Sequence, residues 1–210
     1  MTGFVCRVQV AKLYGAHIYL DEAHSIGAVG PTGRGVCEEL GVDVADITVM
    51  MGTLTKSFGA AGGYVAGSRE VVDAVKRFSL GYTEAVSMAP AVCAQVLSSL
   101  RIISGDDGTD VGKKKLVALR ENSKFFRDGL IALGLEVLGD DPSPIMPVML
   151  YQPYKIGDFS RLAFNRGLAV VVVGSPATPV TLPRVRFCIS AAHKKKDLEN
   201  ALHVISEIAD

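Results

Sequence analysis

At 210 residues, 49% hydrophobic and 21% charged, the chain carries enough apolar material for a globular core, which excludes a disordered tail. Its 22 basic and 22 acidic residues cancel, leaving no basic excess to bind nucleic acid or an anionic membrane. Cys6, Cys37, Cys93 and Cys188 lie far apart with no CxxC pair, so neither a zinc site nor a disulfide scaffold is signalled, and a reducing compartment is the simpler reading.

The opening "MTGFVCRVQV" has one arginine and too short an apolar stretch for a signal peptide. No apolar run approaches the ~18 residues of a membrane span. "AHIYLDEAH", residues 16–24, predicts a strand that ends in polar residues at its C-terminal edge. The glycines and proline of "SIGAVGPTGRG" predict a loop over 25–35, and "DITVMMG" and "GGYVAG" predict two further strands. Apolar residues then recur at helical spacing over 69–78, 85–104 and 109–133. After "GDDPSPIMP" the pattern changes to a strand at 148–151, a helix at 157–166, strands at 168–173 and 184–190, and a closing helix at 194–208. The expected organisation is α/β in two parts: residues 1–134 as the end of a larger domain with connecting helices, and 135–210 as a small C-terminal domain.

Two readings compete for the chemistry. "IYLDEAH" has the strand-plus-acid form of a DEAH-type helicase, but that function needs GxxxxGK[ST] upstream, and the 20 residues before Asp21 contain none. The second reading joins Asp21 and His24 to Lys56 of "GTLTKSFG", a lysine whose nearest charged neighbour on the N-terminal side is Asp46. Pyridoxal phosphate chemistry needs an amine to hold the aldehyde as a Schiff base, an acid to keep the pyridine nitrogen protonated, and a donor near the phenolic oxygen. Strand ends of an α/β sheet present such groups side by side. Taken singly, Lys56 is a surface amine, Asp21 a strand-end cap, His24 a core histidine and Thr53 a strand-end hydroxyl; order and spacing together favour the chemical reading.

"LDEAHSIGAVGPTGRG", "GTLTKSFGAAGGY", "GSPATP" and "RVRFCISAAH" together resemble the α-oxoamine synthase family of fold-type I pyridoxal-phosphate enzymes, with the likeness running from about Ala11 to the C-terminus. The resemblance implies an aspartate aminotransferase-like fold and condensation of an amino acid with an acyl-CoA, with loss of carbon dioxide. The "TKSFGAAGGY" and "PATP" forms favour the members that join L-serine to palmitoyl-CoA, giving 3-oxosphinganine, over those that use glycine or alanine. By the same resemblance Lys56 is the cofactor-holding lysine and general base, Asp21 the partner of the ring nitrogen, His24 the donor to the phenolic oxygen and Thr53 a phosphate ligand. Arg186 is the fork for the substrate carboxylate, with Arg184 expected on the opposite strand face. His193 is given no chemistry. The resemblance also implies a heterodimer with a non-catalytic partner subunit or a homodimer mate, and association with the cytosolic face of the endoplasmic-reticulum membrane. The family's first half of the large domain, with its glycine-rich phosphate turn and ring-stacking residue, is not in this sequence. An N-terminally shortened form, inactive alone or serving as a non-catalytic partner, is therefore also expected.

Overall fold

The computed structural model describes residues 2–209, which divide into two compact units that meet in sequence at Leu116 and Val117. The first unit opens with a helix, α1 (Thr2–Tyr14), where the sequence suggested no element. Its reason is a stripe of Phe4, Val5, Val8 and Ala11 at helical spacing, and Phe4 and Val8 pack with Cys37, Ile47, Leu20 and Met50. Lys12 adds an ion pair to Asp46 at 2.6 Å.

The sheet of this unit has the order β1 (Tyr19–Asp21), β2 (Val49–Thr53), β3 (Gly63–Gly67), with β1 parallel and β3 antiparallel to β2. Side chains alternate between the faces, so Leu20 and Met50 enter the core with α1 while Tyr19, Met51 and Val65 take the other face. Gly52 sits under the Tyr64 ring of the neighbouring strand: a Cβ there would lie 2.6 Å from ring atoms. Between β1 and β2 lie a short helix, α2 (Val36–Leu40), and a single 3-10 turn.

Helices follow where the spacing put them, with one shift. α3 (Arg69–Phe78) starts at a Ser68 cap whose hydroxyl accepts the Val71 N–H. The helix expected from residue 85 begins instead at residue 90 as α5 (Pro90–Ser104), preceded by an unpredicted short helix, α4 (Leu80–Glu84), and extended backbone at Ala85 and Ala89. Proline disfavours a helical conformation in the residue before it and fits the first helical position, so the helix begins at Pro90. α6 (Val111–Ala132) runs through the division between the units.

The second unit is an antiparallel sheet of order β4 (Ile145–Met149), β6 (Arg184–Cys188), β5 (Val171–Val173), with α7 (Lys155–Asn165) and α8 (Lys195–Ala209). Phe126 and Leu130 of α6 join Met146, Val148, Val185, Phe187, Leu198 and Ile205 in its core. Arg127 is buried among them yet satisfied, donating to the carbonyls of Leu138, Gly139 and Asp140 at 3.4, 3.1 and 3.4 Å.

Two expectations need correction here. β4 begins three residues before the predicted 148. Arg184 and Arg186 lie on the same face of β6, not on opposite ones, because side chains two residues apart in a strand point the same way; Val185 and Phe187 fill the core from the other face. Among the described residues, no helix is long and apolar enough to cross a membrane.

Candidate active site

Four of the five predicted site residues come from two adjacent strand ends. Asp21 closes β1 and pairs in register with Met51 of β2, two residues before Thr53, which closes β2. Strand spacing is ~4.8 Å, so these ends are immediate neighbours. The exposed Asp21 carboxylate accepts the Ala23 N–H at 2.8 Å, bending the chain into the turn that carries the exposed His24.

The turn after β2 holds Lys56. Leu54 and Phe58 plug it into the protein at 7% and 2% exposure, which turns Thr55, Lys56 and Ser57 outward. Its backbone is closed by Leu54 N–H to Gly62 O at 2.9 Å, Gly59 N–H to Lys56 O at 3.1 Å and Ala60 N–H to Leu54 O at 2.9 Å. From α5, Gln95 Nε2 and Ser99 Oγ donate to the Phe58 carbonyl at 3.2 and 2.9 Å. On this fixed base the Lys56 amine lies 3.4 Å from Thr53 Oγ1. A cavity of about 700 Å³ beside the sheet is lined by Thr53 with Tyr19, Met51, Tyr64, Val72 and Lys76.

The glycine-rich loop 25–35 packs onto this turn. Gly27 has φ 73°, and a Cβ there would sit 2.7 Å from Ser57 Cβ, next to the lysine. Two acids shape the loop. Glu38 accepts the Thr32 hydroxyl and the Thr32 and Arg34 N–H groups at 2.6, 3.1 and 3.0 Å. Burial opposes its ionisation, but those bonds and the Arg34 charge hold its carboxyl below the usual range. The other acid is Glu22, which is fully buried and was given no role by sequence reasoning. Its signal was a second acid directly after an apolar strand. Burial first, then the Glu22 charge, push the Cys37 thiol up to about 11 and also raise the Tyr64 hydroxyl. Cys37 is thus held as an unreactive thiol.

Arg186 belongs to the second unit. It lines a cavity of about 310 Å³ with Phe126, Leu168, His193 and Asp197, and its Nε is buried with no hydrogen-bond partner. A guanidinium left short of an acceptor at a cavity is a donor set for an incoming anion. Arg184, on the same face, donates its Nε to the Leu182 carbonyl at 3.3 Å. His193 accepts the Ser190 N–H on Nδ1 at 3.2 Å, and Asn122 donates to the carbonyls of Ser190 and His193 at 3.2 and 2.8 Å, a tie that closes the β6–α8 connection.

The family described as aminotransferase class I and II matches residues 4–205. The chain belongs to that family. Curated relatives extend the likeness to the first ten residues, which the sequence reading had left outside it. Rice "Long chain base biosynthesis protein 2d" is 53% identical over 214 aligned residues, covering all of this chain and 44% of the relative. "Serine palmitoyltransferase 2" of Dictyostelium discoideum is 50% identical over 201 residues, covering 96% of this chain and 41% of the relative. The chain thus spans less than half the length of these relatives. Among solved structures, serine palmitoyltransferase of Sphingomonas wittichii superposes with a TM-score of 0.84 at 29% identity, over 96% of this chain and 49% of that one. A structure described as SPT with PLP internal aldimine gives the same TM-score at 30% identity, with the same coverage. An 8-amino-7-oxononanoate synthase from Francisella tularensis shares the fold, with a TM-score of 0.79 at 22% identity. The aminotransferase-family fold here is therefore the fold-type I architecture of pyridoxal-phosphate transferases.

Proposed function

We propose that this chain carries the lysine-bearing half of a pyridoxal-phosphate-dependent synthase that condenses L-serine with palmitoyl-CoA, giving 3-oxosphinganine, carbon dioxide and free CoA. The observation that carries the reading is the placement of Lys56, Thr53 and Asp21 on adjacent strand ends, in a chain about half identical to a serine palmitoyltransferase.

The donor set fits the cofactor. An amine, a hydroxyl within 3.4 Å of it and a carboxylate one strand away are the groups that an aldehyde, a phosphate and a pyridinium nitrogen require. When bound, pyridoxal phosphate supplies an aldehyde that reacts with amines and a ring that accepts the electron pair released at the substrate Cα. With the cofactor bound, Asp21 would keep a proton at the ring nitrogen, His24 would donate to the phenolic oxygen, Thr53 would bind a phosphate oxygen, and Lys56 would hold the aldehyde and supply the base for the substrate Cα proton. Arg186 fixes the serine carboxylate with two parallel N–H···O bonds; its unpartnered Nε supports that role. We further assign residues 1–134 to the cofactor domain with its connecting helices and 135–210 to the small domain. The working enzyme pairs with a non-catalytic subunit or a second copy, at the cytosolic face of the endoplasmic-reticulum membrane.

The test is CoA release by the full-length protein with its partner. Release should require both L-serine and palmitoyl-CoA; release that proceeds equally with glycine or alanine in place of serine overturns the substrate assignment. Arg186→Lys tests the clamp, since it replaces a planar fork by a point charge. Charge-assisted bonds are worth ~1.5–3 kcal/mol, so serine affinity should fall about ten- to a hundredfold in titration of the cofactor spectrum. An unchanged titration moves the role to Arg184.

A further inference from the structure

Glu22 lies between two proposed cofactor ligands, one residue after Asp21 and two before His24, yet it is 0% exposed and faces away from them into the protein. Each of its three polar groups binds a different part of the site. Its N–H donates to Met51 O at 2.8 Å, which carries the β1–β2 pairing one residue past Asp21. Its carbonyl accepts the Ser25 and Ile26 N–H groups, both at 3.0 Å, closing the turn on which His24 rides. Its carboxyl accepts the Ser25 hydroxyl and, through both oxygens, the Val36 N–H at 3.2 and 3.1 Å, which joins that turn to the start of α2 fourteen residues away. The carboxyl rests on Gly35, where a Cβ would lie 2.5 Å from Oε2 and φ is 92°. A side chain at Gly35 would therefore take the space that the carboxyl fills. Loop 25–35, which α2 terminates, is the same loop that presses Gly27 against Ser57 beside the lysine.

We propose that Glu22 is a positioning residue, which fixes the Asp21 carboxylate and the His24 ring relative to the Lys56 turn and thereby sets cofactor affinity without touching the cofactor. The proposal rests on the pyridoxal-phosphate reading above. Truncating the carboxyl strips acceptors from Ser25 and Val36 at once and loosens Asp21 and His24. Glutamine keeps an acceptor for the Val36 N–H and the packing against Gly35, so it retains most of the alignment.

The experiment uses the full-length protein with its partner, reading the dissociation constant for pyridoxal phosphate and the visible absorption band of the bound cofactor, at a temperature where every variant is folded. Misplacement on the ångström scale costs up to a hundredfold, so Glu22→Ala should raise the dissociation constant about ten- to a hundredfold and shift the band, while Glu22→Gln stays within about threefold of the parent. Wild type that binds with an unshifted Glu22→Ala overturns this proposal and leaves the functional reading standing. Wild type that binds no pyridoxal phosphate overturns the functional reading, and this proposal with it. A Gln variant as impaired as the Ala variant also overturns the alignment role. Should Glu22→Ala fail to fold, Ser25→Ala removes one of the same bonds and should move both readouts in the same direction; no movement counts against the proposal.

Discussion

Lys56→Ala in the complete enzyme should abolish serine- and acyl-CoA-dependent CoA release to within background. Loss of a positioned general base alone costs about a hundred- to ten-thousandfold, and here the same amine also holds the cofactor, so the two losses fall on one side chain. Chemistry rather than distance selects the amine: Thr55 and Ser57 share its outward turn and Thr55 Oγ1 also lies 3.4 Å from Thr53 Oγ1, but a hydroxyl cannot hold an aldehyde as a Schiff base and the Lys56 amine can. Borohydride reduction in the presence of pyridoxal phosphate should fix the pyridoxyl group on the peptide containing Lys56 and on none in the Ala variant. Labelling of Lys76, which lines the sheet-side cavity, would sink the assignment.

Phe126→Ala should be the most damaging single truncation in the second unit. The ring is 1% exposed and meets Phe187 edge-to-face at 5.4 Å between centroids, so its removal loses both burial and an aromatic pair and leaves a void between α6 and β6. The expected cost is ~3–5 kcal/mol in chemical denaturation. Phe164→Ala is the control: at 71% exposure the same chemical change should stay within ~0.5 kcal/mol. Equal effects at the two positions would mean that the core does not centre on α6.

The parts of the site that the sequence made legible are those with a local pattern. Asp21 and Lys56 stand at ends of short apolar runs, and α3, expected from residue 69, carries its own start signal in Ser68. What stayed hidden depends on partners distant in sequence. Nothing near Glu22 announces that Val36 will supply its N–H, so a buried acid reads as one more charged residue. β4 was misplaced because Pro144 and Pro147 look like loop residues; the strand tolerates Pro147 because its missing N–H falls on the side away from β6, where the Leu138 N–H bonds the Pro147 carbonyl instead. α1 was missed because its buried stripe is narrow, with Val10, Leu13 and Tyr14 exposed on the other side and blurring the period. The Arg184 error was one of counting, since strand alternation places it beside Arg186.

Among the described residues, β2 is the strand of the first sheet with a neighbour on each side, whereas β1 and β3 are paired on one side only. Local opening of a sheet proceeds from its edges, so amide hydrogens of β2 exchange with solvent last, after those of β1 and β3. Lys56 is three residues beyond the end of that strand and tied back to α5 through Phe58. Within this sheet the amine therefore hangs from the strand paired on both sides, while Asp21 sits on one paired on a single side. Fluctuations that fray the site release the acid before they disturb the lysine.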